Sequence, residues 1–265
     1  LVSKERSMDA DAMAEYLELH AIDCLKIVPS HLAALVSTIS PEKLLPRRLL
    51  ILGGEATQPD WVQEMMSRAP HCRIINHYGP TETTIGATTF TVPSTTLPAD
   101  LKSVPLGQEL DGVSVYLLDA DRRPVPVGAE GELYIGGRGV ARGYLNDGEL
   151  TAERFLADPF SESSPSRMFR TGDRVRRRID GYLEFLGRTD DQIKIRGHRV
   201  ELGEVVATLR RHPDVRDAAV LPTRDPSGET KLVAYVVPLE DDGPSAGEQG
   251  ERRLPNELVV AHVRS

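Results

Sequence analysis

Three short apolar runs, at 22–28, 48–52 and 72–76, alternate with segments of helical period, and this alternation limits the folds open to the chain more than any other feature. Met13, Tyr16, Leu17 and His20 give segment 8–20 a helical spacing. Pro29-Ser30 opens a second helix running to 39, and Pro59 sits in the first turn of a third, 60–68, where its missing N–H costs nothing. Strand–helix–strand order predicts a largely parallel sheet with both faces covered, an α/β class.

The pattern changes after residue 91. Residues 91–103 are rich in Pro, Thr and Ser and read as a surface loop. Over 112–186 strand signals dominate, with period two at Val113, Val115, Leu117 and at Leu133, Ile135, interrupted by a helix at 149–156. Residues 187–197 show no clear element end. An α+β pattern follows: helix 203–211, strand 218–222, turn 225–229, strand 231–237, an acidic loop at 239–251 and a helix-like run from 254. The expected organisation is an α/β part at 1–105, a β-rich part at 106–187 and a truncated α+β part at 192–265.

The net charge of −8 argues against nucleic acid, which needs a basic face. Cys24 and Cys72 make no disulfide framework, so a reducing cytoplasm is expected. No run approaches the ~18 apolar residues of a membrane-spanning helix, and no signal peptide is visible. A start without Met and an end just after a helix begins read as cuts through a longer protein.

Three stretches carry chemistry. Asn76-His77-Tyr78-Gly79-Pro80-Thr81-Glu82-Thr83-Thr84 follows a strand, where α/β sheets bind ligands. Its hydroxyls suit phosphate, its carboxylate suits Mg²⁺, and Tyr78 suits a base; an ordinary polar loop is the competing reading. Phe169-Arg170-Thr171-Gly172-Asp173 and the run from Gly187 to Gly197 each place Asp and Arg together, as ribose and phosphate require. Each alone also fits a solvated turn.

Taken in order, NHYGPTE, GELYIGGRGVARGYL, FRTGD and GRTDDQIKIRGHRVELGEV resemble the adenylate-forming superfamily, specifically the adenylation domain of a nonribosomal peptide synthetase. The resemblance covers essentially the whole chain. It implies the C-terminal part of the large domain, a mixed α/β sheet layer plus a β-rich subdomain, followed by a partial α+β small domain. By the same resemblance, Gly54-Glu55-Ala56 and Tyr78 sandwich adenine and Asn76 bonds its amino group. Thr81 touches the α-phosphate, Glu82 holds Mg²⁺, Asp173 accepts the ribose hydroxyls and Arg188 lies beside ribose and phosphate. Asp190 matches the hinge, at 188–191, and Gly197 the small-domain loop of the thioester-forming state. The implied partners are ATP, an amino acid, a peptidyl carrier domain bearing phosphopantetheine and a neighbouring condensation domain. The family's phosphate loop, its α-amino-binding Asp and its C-terminal Lys belong outside this sequence, so the segment alone is expected to be inactive.

The family's substrate pocket falls here on Lys26, Ile51, Gly53, His77, Ile85 and Gly86. Lys26 interrupts an apolar run, and alternation puts Asp23 on the other face. A buried, unpaired ammonium costs several kcal/mol, so the anion it lacks is read as the substrate; a lysine snorkelling from a strand end is the alternative. Lys26 and His77 beside two glycines resemble the pocket for aspartate or a β-substituted aspartate, with asparagine the near competitor. The glycines at 137, 139 and 143 do not fit the dinucleotide fingerprint, and His71, Cys72 and His77 fit no zinc spacing. The basic run 174–178 reads as a solvated strand face, with carrier docking the alternative. An acyl- or aryl-CoA ligase of the same superfamily and a non-catalytic remnant are the rival functions.

Overall fold

The computed structural model describes residues 2–162, 166–190, 192–195, 197–224 and 230–239. They form two compact units, Leu1–Asp190 and Asp191–Ser265.

The first unit opens with α1 (Lys4–Met8) and α2 (Ala10–Leu19). The helix expected over 8–20 is α2, which starts two residues later because the Asp9 carboxylate caps it, accepting the Ala12 N–H at 2.9 Å; the short α1 before it was not expected. Next come β1 (Cys24–Ile27), α3 (Pro29–Val36), β2 (Leu49–Gly53), α4 (Pro59–Arg68), β3 (Arg73–Tyr78), β4 (Thr88–Thr91) and β5 (Gln108–Glu109). The strands make one sheet in the order β1-β2-β3-β4-β5. The first three are parallel, with Lys26 opposite Ile51 and Gly53 opposite His77.

The sheet as a whole is mixed. β4 pairs antiparallel with β3, because the link from Tyr78 to Thr88 is shorter than the dozen or so residues a parallel crossover needs, and β5 pairs antiparallel with β4. One sheet face, carrying Ile27, Leu50, Leu52, Ile74 and Phe90, packs on Met13, Leu17, Leu32, Leu35, Val62 and Met65. The opposite face, with Lys26, Ile51 and His77, is not covered by any of these helices and is open to partly open.

A second, antiparallel sheet contains β6 (Val113–Leu118), β7 (Glu130–Gly137), β9 (Arg167–Arg177) and β10 (Leu183–Arg188), in the order β10-β9-β7-β6. Its period-two positions Leu117, Leu133, Ile135, Val175 and Leu183 form its core. Between them lie α5 (Gly148–Arg154) and β8 (Phe155–Ala157). The helix expected over 149–156 stops at Arg154 because buried Phe155 turns into the sheet, its ring 5.1 Å from that of Phe169.

The second unit holds the hairpin β11 (Gln192–Ile195) and β12 (His198–Glu201), then α6 (Leu202–Arg210), β13 (Val215–Arg224) and β14 (Thr230–Pro238). Leu209 of α6 packs on Val215, Ala218 and Val220. The expected turn 225–229, the loop 239–251 but for Leu239, and the run from 254 lie outside the described residues. No helix among the described residues is long and apolar enough to cross a membrane.

Candidate functional site

β3 continues past Asn76, so alternation along it sorts the residues at its end. Asn76 and Tyr78 share one face and His77 takes the other. Asn76 is buried, and its Nδ2 donates to the carbonyls of Val104 at 3.2 Å and Pro105 at 2.8 Å. Two facing carbonyls fix the amide orientation, which leaves Oδ1 as an acceptor, the group an adenine amino group needs. At the end of β2, Gly54 has φ +91°, a conformation that suits glycine. The Glu55 carboxylate accepts the Ser30 N–H at 3.1 Å and the Ser30 hydroxyl at 3.0 Å, tying this turn to the start of α3. Gly54 and Ala56 remain exposed beside it.

The Tyr78 hydroxyl donates to Oδ2 of Asp173. Burial, then the Asp173 charge, pushes the phenol well above its usual pKa. Arg188 Nη1 donates to Oδ1 of the same carboxylate at 2.5 Å, while Nε and Nη2 hold Asp190 at 2.6 and 2.8 Å. Burial alone would lower the guanidinium pKa; Asp190 and Asp173 outweigh it, so Arg188 is held charged. The Asp173 N–H donates to the Thr171 hydroxyl at 3.0 Å, and that hydroxyl donates to the Leu133 carbonyl at 2.8 Å.

Thr81–Thr83 form a short 3-10 turn. Thr81 is exposed and Glu82 is buried. A Cβ on Gly79 would stand 2.4 Å from the Ile85 carbonyl, so only glycine admits this return of the chain. Thr84 and Ile85 both have positive φ, 61° and 72°, which is strain held by surrounding contacts. Those contacts come from residues 138–144: the Thr84 hydroxyl donates to the Gly139 carbonyl at 2.7 Å, and the Ala141 N–H to the Glu82 carbonyl at 2.8 Å. The Tyr144 hydroxyl donates to Oε1 of Glu82 at 2.7 Å. A cleft of about 490 Å³ lies alongside, lined by Thr83, Thr84, Gly86, Leu110, Arg138 and Gly139 among others.

The six pocket positions fall on the open sheet face and the loop beyond it. His77 is packed between two glycines: a Cβ on Gly53 would stand 2.7 Å from the His77 carbonyl, and one on Gly86 2.9 Å from Nε2. Burial first and the charge of Lys26 second hold the His77 imidazole below its usual pKa. Lys26 is in register with Ile51 and His77 with Gly53, so alternation puts both side chains on one sheet face, on either side of β2. Lys26 is nevertheless exposed, as is Ile85 at 57%. Within the described residues the ammonium is thus not buried, contrary to the expectation from its apolar neighbours.

The structure brings Asn76, Tyr78, Asp173, Arg188 and Asp190 to one end of β3 and Thr81 and Glu82 into the adjoining turn. Gly197, with φ +76°, lies in the second unit. Sequence reasoning missed Tyr144, Thr171 and Arg154, whose Nη2 is 3.7 Å from Asp190. Tyr144 and Thr171 stand inside motifs already singled out, which was the available signal. Within the basic run, Arg176 pairs with Glu184 at 2.6 Å, Arg177 with Glu109 at 2.7 Å and Arg178 with Asp180 at 3.1 Å, and Arg174 pairs with Glu130. The strand face is thus neutralised in place.

Residues 1–145 match the family model for AMP-binding enzyme. The chain belongs to the AMP-binding enzymes. Within them, this AMP-binding chain falls among the adenylation domains of nonribosomal peptide synthetases. It is 46% identical over 239 residues to the dimodular nonribosomal peptide synthase of Bacillus subtilis, 89% of this chain and 10% of that protein. It is 47% identical over 229 residues to novobiocin biosynthesis protein H of Streptomyces niveus, 85% of this chain and 37% of that protein. Holo-PA1221, an NRPS protein containing adenylation and PCP domains bound to a vinylsulfonamide inhibitor, superposes with TM-score 0.80 at 30% identity, covering 89% of this chain and 40% of that one. NpsA-ThdA, a fused adenylation–PCP di-domain from Klebsiella oxytoca, gives TM-score 0.79 at 28% identity, covering 96% and 44%. The chain therefore spans well under two thirds of each of these proteins.

Proposed function

We propose that this AMP-binding chain forms part of an adenylation site that activates aspartate, or a β-substituted aspartate, and passes it to the phosphopantetheine thiol of a carrier domain. The observation that carries the reading is the Tyr78–Asp173–Arg188 cluster beside the Asn76 acceptor. Asn76 Oδ1 takes the adenine amino group and Asp173 takes the ribose hydroxyls. Arg188 places its charge beside ribose and α-phosphate. In the reaction the substrate carboxylate oxygen attacks the α-phosphorus; the new O–P bond forms as the bond to pyrophosphate breaks, giving the aminoacyl adenylate. The protein contributes positioning and charge neutralisation.

Mg²⁺ fits the donor set as a shared ligand rather than an all-protein cage. Among the described residues no cluster of three or more His, Cys, Asp or Glu could hold an ion. Glu82 supplies one hard carboxylate beside Thr81, as Mg²⁺ sites completed by phosphate oxygens and water require. When bound, Mg²⁺ neutralises phosphate charge.

On the sheet's open face, Lys26 and His77 recognise the side-chain carboxylate, while Ile51 and Ile85 wall the pocket. Asp190 serves as the hinge between the two units. ATP binding to the complete adenylation domain tests the nucleotide reading: Asp173→Ala and Arg188→Ala should each weaken it by about tenfold or more. Unchanged affinity in both would overturn it.

A further inference from the structure

We propose that Tyr144 is a positioning residue for Glu82, and that residues 138–144 thereby set how tightly the site holds a divalent cation with its nucleotide. The inference rests on the assignment of Glu82 as the cation's ligand.

Three links clamp the 81–86 loop to this segment, and the side-chain link ends on the one carboxylate in the turn. A hydroxyl bound to an ionised carboxylate makes a charge-assisted bond about twice as strong as a neutral one. It occupies Oε1 and fixes the plane of the group, as outer hydrogen bonds do for metal-ligating carboxylates. Tyr144 is itself held. Its N–H donates to the Thr151 hydroxyl at 2.9 Å, and its ring meets the edge of Phe155 at 5.3 Å. A Cβ on Gly143 would stand 2.4 Å from the Thr151 methyl, so glycine there lets the segment approach α5. The ring's anchorage thus runs through α5 into the second sheet. A tie needed only to close the loop already exists in the two links outside the Glu82 side chain.

The test uses the complete adenylation domain with α,β-methylene-ATP and Mn²⁺, read by electron paramagnetic resonance. Tyr144→Phe is expected to weaken Mn²⁺ binding about tenfold, with nucleotide affinity in EDTA unchanged. In a Glu82→Gln background the same change is expected to add nothing. If Glu82→Gln weakens Mn²⁺ binding and Tyr144→Phe does not, the positioning role is overturned while the Glu82 assignment stands. If neither weakens it, both fall. An equal loss of nucleotide affinity in EDTA marks a structural role only and overturns the proposal. Should Tyr144→Phe unfold, Thr151→Val keeps the hydroxyl and removes its backbone anchor. It is expected to weaken Mn²⁺ about two- to threefold, and wild-type binding there overturns the proposal.

Discussion

Arg188 grips Asp190 with a two-pronged fork, Nε to Oδ1 at 2.6 Å and Nη2 to Oδ2 at 2.8 Å, while its third nitrogen holds Asp173. Asp173 and Asp190, the proposed ribose ligand and the proposed hinge residue, are therefore joined through one guanidinium. Each carboxylate has a further partner, the Tyr78 hydroxyl on Asp173 and Arg154 on Asp190 at 3.7 Å, but the Asp173 side chain is 10% exposed and that of Asp190 27%.

That difference ranks two substitutions. Asp173→Ala removes the more buried carboxylate, which accepts from both the Tyr78 hydroxyl and Arg188 Nη1, leaves Arg188 with Asp190, and should cost about 3 kcal/mol. Asp190→Ala leaves Arg188 with Asp173 and should cost about 1–2 kcal/mol. Denaturant unfolding of the complete domain reads the order; equal losses would count against the coupled cluster.

Asn76→Asp replaces a donor to two carbonyls with a carboxylate facing them. With the side chain buried, the expected loss is about 3 kcal/mol, and adenine binding should fall with it. Asn76→Asp unfolding at the wild-type denaturant midpoint would contradict the assigned amide orientation.

His77 gives a pH dependence of defined sign. Its folded pKa lies below the unfolded value, so the unfolded chain binds the proton first as pH falls. The His77 contribution to stability is present above an unfolded value of about 6.5 and is lost as pH drops through the folded pKa. Because Lys26 is the second cause after burial, Lys26→Met should raise the His77 pKa, and a bound aspartate carboxylate should raise it too. Proton NMR titration of His77 checks both; a downward shift in either would contradict the geometry.

Gly86→Ala brings a methyl to within 2.9 Å of His77 Nε2 and 3.4 Å of a Leu110 methyl. The imidazole tip must move. The expected outcome is a rise in KM for the amino acid of about tenfold with ATP affinity unchanged. Steady-state kinetics with each substrate varied separate the two.

Much of this was legible because local chemistry and fold agreed. Pro29, Pro59 and the Gly53-Gly54 stop placed α3, α4 and β2 to within a few residues. The misses have physical causes. The five-residue α1 is too short to show a helical period, so only α2, capped by Asp9, was read. Ile193 and Ile195 alternate over too few residues to reveal β11. Phe155 leaves its helix for a sheet core formed by distant residues, which no local pattern encodes. In the site, motif order located Asn76, Tyr78, Thr81, Glu82, Asp173 and Arg188. The Tyr78–Asp173 bond spans 95 positions and the Tyr144–Glu82 bond 62, and only the folded chain displays them. Lys26 taught the reverse: apolar neighbours suggested burial, but among the described residues it is exposed.

Amino-acid-dependent ATP–pyrophosphate exchange on the complete adenylation domain, across the twenty amino acids and β-hydroxyaspartate, tests the central claim most directly. The account predicts exchange driven by aspartate or its β-hydroxy form and lost in Lys26→Ala. Exchange driven by an apolar amino acid and indifferent to Lys26→Ala, or no exchange with any amino acid, would contradict it.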